Sequence, residues 1–249
     1  MISAQALTGI PEIEAGDDLG ARLAAAMPPG SPAAADVLVL AHKVVSKAEG
    51  QTRVLASVQP GAEAQRLAVE LDKDPRHVQV ILDESGEIRR AERGVLIAVT
   101  HHGFVCANAG VDASNAPDAG TVILLPTDPD ASARRLRARL ADLCGVAPAV
   151  LITDSFGRAW RHGQTDCAIG CAGLEPLEDW RGRHDVAGRE LRATWIAVAD
   201  ELAAAADLAR AKDAMQPAVL VSGAGRHVTK QDGPGARALL RARAEDLFR

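Results

Sequence analysis

Two aspartates on separate segments, each close to a hydroxyl or an amide, are the residues of this 249-residue chain best suited to chemistry. Asp154 and Ser155 follow the apolar run Val150-Leu151-Ile152-Thr153, just past its carboxyl end, where open α/β sheets place ligands. Aspartate plus hydroxyl suits Mg²⁺ or Mn²⁺, which take oxygen donors and leave positions for substrate phosphates. Arg158 and Arg161 follow closely and carry charge that can neutralise a phosphate in a transition state. Asp112 lies in a second polar stretch, Gly103 to Asn115, whose glycines let backbone approach a ligand closely. A third stretch, His42 to Gly50, sets a histidine with Lys43 and Lys47 at a strand end, where lysines can hold phosphates as point charges. The fourth, Gly9-Ile10-Pro11-Glu12-Ile13 through Leu19, reads as an extended segment leading into an Asp-capped helix. Together these parts point to metal-assisted phosphoryl chemistry. A metallohydrolase and a nucleotide-driven ligase use the same set, and the residues alone leave both open.

Other chemistries lack their residues. There is no GxxxxGK[ST] loop, no HExxH, no GxSxG and no kinase signature. Gly223-Ala224-Gly225 lacks the third glycine of a dinucleotide fingerprint and reads as a turn. With three Phe, three Trp and no Tyr, no phenol is available as acid, base or radical. Cys106, Cys144, Cys167 and Cys171 lack paired CxxC spacing and read as reduced, packed thiols. The balance of 28 Lys and Arg against 33 Asp and Glu, a formal charge of −5, argues against general nucleic-acid binding. No basic residue precedes Arg22, and no apolar run approaches the ~20 residues needed to span a bilayer, so the chain is expected to be cytoplasmic.

The elements that must position these residues alternate. Val37–Ala41, Val95–Val99, Val122–Leu125, Val150–Thr153 and Ala218–Val221 read as buried strands. Between them a helix after Asp130 sets Leu136, Leu140 and Leu143 on one face, arginines 134, 135, 137 and 139 in solvent, and Gly145 as its C-cap. Gly61 to Leu71, Asp200 to Ala211 and Pro234 to Phe248 also read as helical. The class is α/β or mixed α+β, and residues 1–249 are expected to form one domain.

The four polar segments, in order, resemble the coenzyme F420-0:L-glutamate ligase family, also called F420:γ-glutamyl ligases. The strings that carry the likeness are Gly9 to Ile13 with Gly16-Asp17-Asp18-Leu19, Lys43 to Gly50, Gly103 to Asn115, and Thr153 to Gly173. The likeness spans roughly residues 5 to 230. It implies a GTP-dependent ligase that adds L-glutamate to coenzyme F420-0, with further γ-linked glutamates by repeated cycles, through an acyl phosphate. It also implies Mg²⁺ or Mn²⁺, two ions in all, a monovalent cation such as K⁺, and a homodimer with an intertwined α/β fold. No nucleic acid or membrane is expected as a partner.

By the same resemblance, Asp112 and Asp154 would bind one metal ion and Ser155 a second. Ile10, Pro11, Glu12, Ile13, Lys47 and Asn115 would contact GTP, and His42 occupies a nucleotide-contacting position that is often Ser or Thr. Arg158 and Arg161 are assigned here to substrate carboxylates or the migrating phosphoryl group. Near Arg210-Ala211-Lys212 the family often carries Met-Gly, so this chain departs there. The stand-alone form, without a fused nitroreductase-like domain, is expected. A metal-dependent phosphatase or nucleotide hydrolase is the alternative, followed by a non-catalytic GTP-binding protein. Phe156 and Trp160 are read as packing their loops against the core; if any ring stacks on a guanine or a deazaflavin, these two are the first to test.

Overall fold

A computed structural model describes residues 1–211 and 213–246. In chain order the first elements are β1 (Ser3–Ala6), α1 (Leu19–Ala26), β2 (Val37–Ala41), α2 (His42–Ala48) and β3 (Thr52–Val54). Then come α3 (Ala62–Leu71), α4 (Pro75–Asp83), β4 (Ser85–Glu92), β5 (Val95–Thr100), β6 (Val105–Ala107) and β7 (Thr121–Ile123). The rest are α5 (Pro129–Cys144), β8 (Ala149–Arg158), β9 (Arg161–Ala172), β10 (Glu178–Asp179), β11 (Trp195–Ile196), α6 (Val198–Ala209) and β12 (Ala218–Ser222). The fold is mixed α/β.

The central sheet has the order β1-β12-β2-β8-β9, with β2 and β8 parallel and the other pairs antiparallel. Its middle strands are apolar at successive positions because both faces are covered. Leu38, Leu40, Val150 and Ile152 face one core with Leu23 of α1 and Leu140 of α5. Val37, Val39, Leu151 and Val221 face the other, with Leu202 and Ala206 of α6. Each fully buried Leu, Ile or Val contributes about 1.5–3 kcal/mol of burial, so the strand pair that carries the site is a rigid base. A third core joins α3 and α4 to the sheet β4-β5-β6, with Leu67, Val78, Ile81 and Leu96 inside. The ribbon β3–β7 packs on this lobe through Val122 and Leu124, and Leu124 N–H extends it by donating to the Gln51 carbonyl at 3.0 Å.

Close approach of α5 to the sheet demands one glycine. A Cβ at Gly170 of β9 would lie 2.4 Å from the Pro129 backbone, at the first turn of α5. At its other end α5 stops at Gly145, in the left-handed region at φ 70°, as its sequence requires.

Several expectations are corrected. On α5 the inward stripe is Ala133, Leu136, Arg137, Leu140 and Cys144, a 3.6-residue spacing that excludes Leu143, which is exposed. Arg137 therefore does not face solvent. It is buried, donating to Asp232 at 2.8 Å and to the carbonyls of Thr229 and Lys230. Pro234 to Phe248 is not one helix: short 3₁₀ turns cover Ala236–Leu239 and Arg243–Glu245, and residues 247 and 248 lie outside the described set. Leu239 packs on one core and its neighbour Leu240 on the other, so they serve opposite directions. The turn is held instead by Asp130, whose carboxylate accepts from Ala236 N–H at 2.7 Å and Cys171 N–H at 2.9 Å. His42 to Ala48, the polar stretch at the end of β2, is helix α2.

Candidate functional site

A pocket of about 630 Å³ opens at the carboxyl ends of the parallel pair β2 and β8. This is the place where a strand pair exposes its last residues to a ligand. Ile10 and Ile13 are buried in the first core, which fixes the N-terminal segment and leaves the flanked Pro11 and Glu12 at the pocket rim. β2 hands directly to α2, so His42 and Lys43 stand at its end and Lys47 one turn further. Lys47 is buried along its stem and its ammonium pairs with Glu12. Lys43 donates to Asp112 at 2.5 Å.

β8 continues past Thr153 as one arm of a long hairpin, so Asp154 and Ser155 lie within a strand and not in a loop after it. Across the hairpin Ser155 faces Asp166. Asp166 is 1% exposed and accepts hydrogen bonds from Ser155 Oγ at 2.7 Å and Thr153 Oγ1 at 2.6 Å. Its remaining partner is the Arg210 guanidinium, which reaches back from the end of α6 and also donates to the Pro217 carbonyl at 3.3 Å. Arg210 thereby ties Pro217 and the end of α6 to the site wall.

His42 is buried, with Nδ1 3.2 Å from Ser46 Oγ and Nε2 3.4 Å from Asp154 Oδ1. Nε2 has no hydrogen-bond partner among the described residues. Burial opposes ionisation of Asp112, but Lys43 and Ser114 outweigh it and hold the carboxyl below its ordinary value. Burial, with Asp154 nearby, pushes the Cys106 thiol up to about 12, and burial near Asp200 does the same for Cys167. Neither is a nucleophile at neutral pH.

Of the residues expected at a site, Ile10, Pro11, Glu12, Ile13, His42, Lys47, Asp112, Asn115, Asp154 and Ser155 all line this pocket. Arg158 and Arg161 do not. They sit at the exposed hairpin tip, where Arg158 donates to the carbonyl of His162 at 2.7 Å. Trp160 at the same tip is 81% exposed, while Phe156 packs near Phe104 with ring centroids 6.1 Å apart. Gly110, expected to admit a ligand, gives its space to Leu125, which lies 2.7 Å from where a Cβ would be. Asp166 and Arg210 were not among the expected site residues. Simple alternation across a hairpin centred on Ala159-Trp160 would pair Ser155 with Gln164; the register shift between Gly157 and Arg158 brings Asp166 opposite Ser155 instead. Arg210 lies in the segment where the sequence departs from the family pattern, which gave it no role of its own.

The lining offers a hard cation carboxylates from Asp112 and Asp154 and a hydroxyl from Ser155. Among the described residues no three His, Cys, Asp or Glu side chains converge as a preformed cage. The oxygen donors present, carboxylate and hydroxyl, are the types that Mg²⁺ or Mn²⁺ would take.

Such a sheet and pocket define a mixed α/β protein with a carboxylate-rich ligand site at the ends of a parallel strand pair. The chain belongs to the F420-0:gamma-glutamyl ligase family, whose model matches residues 9–223. It is 42% identical over 251 residues to the coenzyme F420:L-glutamate ligase of Methanothermobacter thermautotrophicus, covering 100% of this chain and 99% of that protein. The enzyme of the same name from Methanopyrus kandleri is 48% identical, covering 86% of this chain and 85% of its own. That of Haloarcula marismortui is 41% identical, covering 98% and 94%.

Proposed function

We propose that this protein is a GTP-dependent ligase that joins the amine of L-glutamate to the terminal carboxylate of coenzyme F420-0. The observation that carries the reading is convergence: four segments distant in sequence, all starting within the family match, line one pocket. A carboxylate is a poor electrophile, so it must first gain a leaving group. Its oxygen attacks the γ-phosphorus of GTP, the bond to the β-phosphate oxygen breaks, and GDP leaves. The glutamate amine then attacks the acyl-phosphate carbonyl, inorganic phosphate departs, and the nitrogen loses a proton. A new γ-carboxylate allows another cycle.

The described residues lining the pocket include six carboxylates (Glu12, Asp112, Asp154, Asp166, Asp207, Asp213) against the cations Lys43, Lys47 and Arg210. Each cation is already paired with a carboxylate. A triphosphate entering so acidic a site requires added positive charge, which supports Mg²⁺ or Mn²⁺ held by Asp112, Asp154 and Ser155. When bound, such ions shield phosphate oxygens during transfer. Lys47, freed from Glu12, adds a fixed charge, and Pro11 and Glu12 present backbone to the nucleotide. A monovalent cation and a homodimer belong to the same proposal; light scattering at twice the chain mass checks the second.

Purified protein with GTP, Mn²⁺, F420-0 and L-glutamate tests the reaction by mass spectrometry. The expected product is heavier by one glutamyl residue or more, with GDP and phosphate formed in step. Phosphate release without that gain in mass would identify a hydrolase instead.

A further inference from the structure

The Lys43 ammonium sits among three oxygens: Asp112 Oδ2 at 2.5 Å, Ser114 Oγ at 2.6 Å and the Ser114 carbonyl at 3.1 Å. Carboxylate, hydroxyl and carbonyl are the donor types that a hard divalent ion takes. The arrangement is braced, because Ser114 N–H donates to Asp112 Oδ1 at 2.7 Å and its hydroxyl lies 2.8 Å from Oδ2. The Lys43 side chain lines the pocket and is 19% exposed, so the ammonium has open space to turn into. An ammonium and a divalent ion cannot share one carboxylate oxygen without strong repulsion.

We propose that Lys43 is a built-in counter-ion that fills the cation position of Asp112 when no metal is bound, and that a divalent ion displaces it. The released ammonium then faces the part of the pocket where the anionic substrate lies. The inference rests on the reading of Asp112 as a metal ligand. It assigns Lys43 a role opposite in sign to that of a brace. Removing a brace loosens Asp112 and weakens metal binding, whereas removing a competing cation strengthens it.

Electron paramagnetic resonance of free Mn²⁺, titrated into the full chain without nucleotide, separates the two. Lys43→Met keeps most of the stem and removes the charge; its Mn²⁺ Kd is expected to fall about tenfold. Lys43→Arg keeps the charge and is expected to stay within about threefold of wild type. Lys43→Gln repeats the neutral case if the Met variant melts early. A neutral variant that binds Mn²⁺ no more tightly than wild type overturns the exchange. Asp112→Asn controls for the underlying site: its Mn²⁺ affinity is expected to drop sharply. An Asp112→Asn variant that binds like wild type overturns the metal-site reading and the exchange with it.

Discussion

Asp154 makes few bonds that the fold needs. Its carboxylate accepts from the adjacent Ser155 N–H at 2.8 Å and meets His42 Nε2 at 3.4 Å, and it is half-buried at the pocket. Asp154→Ala is therefore expected to shift the Tm by no more than about 2 °C, under ~1 kcal/mol for a chain of this size. Loss of the proposed metal ligand should cut kcat/KM about a thousandfold, which corresponds to ~4 kcal/mol of transition-state stabilisation. Steady-state kinetics beside a thermal melt checks both, and more than a tenth of wild-type activity would sink this role. At this scale Asp154 and Ser155 stood out in the sequence because a carboxylate beside a hydroxyl follows an apolar run, and Asp112 because it lies in a polar, glycine-punctuated stretch. Arg158 and Arg161 misled through nearness in sequence. A strand rises roughly 3.3 Å per residue, so four residues carry Arg158 about 13 Å beyond Asp154. Asp166 was hidden because a register shift in the hairpin sets it opposite Ser155, and Arg210, marked in the sequence only as a departure from the family pattern, meets Asp166 through the return of α6.

Elements were legible in proportion to their burial. β2, β8 and β12 are covered on both faces, so their apolar runs marked them, and α5 carried its own cap and C-terminal glycine. β4 was invisible: its burial pattern is largely exposed, and its sequence SGEIRRAE is polar. β9 was missed because its first half, with Arg161, His162, Gly163 and Gln164 exposed, reads as the polar loop it is not. Asp200 shows how an element boundary bears on stability. It lies in the first turn of α6 and accepts from Ala168 N–H of β9 at 2.9 Å, stitching helix to hairpin. Burial raises its carboxyl above the ordinary value of 3.8, with the Ala168 hydrogen bond only partly offsetting this. A raised carboxyl holds its proton more tightly when folded, so stability declines as pH climbs from the unfolded value through the folded one. Asp200→Asn keeps an acceptor for Ala168 and removes the charge. Its Tm is expected to exceed wild type at pH 7, with the gain vanishing below about pH 4. Parallel melts across that range check it, and a gain that persists at pH 3 would refute the linkage.

Across the whole molecule, the charge of −5 and the acidic pocket act together on any polyanionic ligand. No helix among the described residues is long and apolar enough to cross a membrane. The pocket walls come from both ends of the chain, Pro11 and Glu12 on one side and Arg210, Gln216 and Pro217 on the other, closed through β12 against β1 and β2. A ligand that fills it ties these distant segments together, so binding should register as global stability. Without divalent ions GTP meets cations already neutralised by their own carboxylates, and it is expected to leave the melting curve in EDTA unchanged. With Mn²⁺, GTP at about a hundredfold over its Kd should stabilise the chain by ~2.7 kcal/mol. At roughly 2–4 °C per kcal/mol for this size, the Tm rises by about 5–10 °C. Mn²⁺ alone should give a smaller shift, because without phosphate oxygens its coordination rests on the protein donors and water. A full GTP shift in EDTA would show that the paired lysines suffice for the triphosphate, and the requirement for added positive charge would fall.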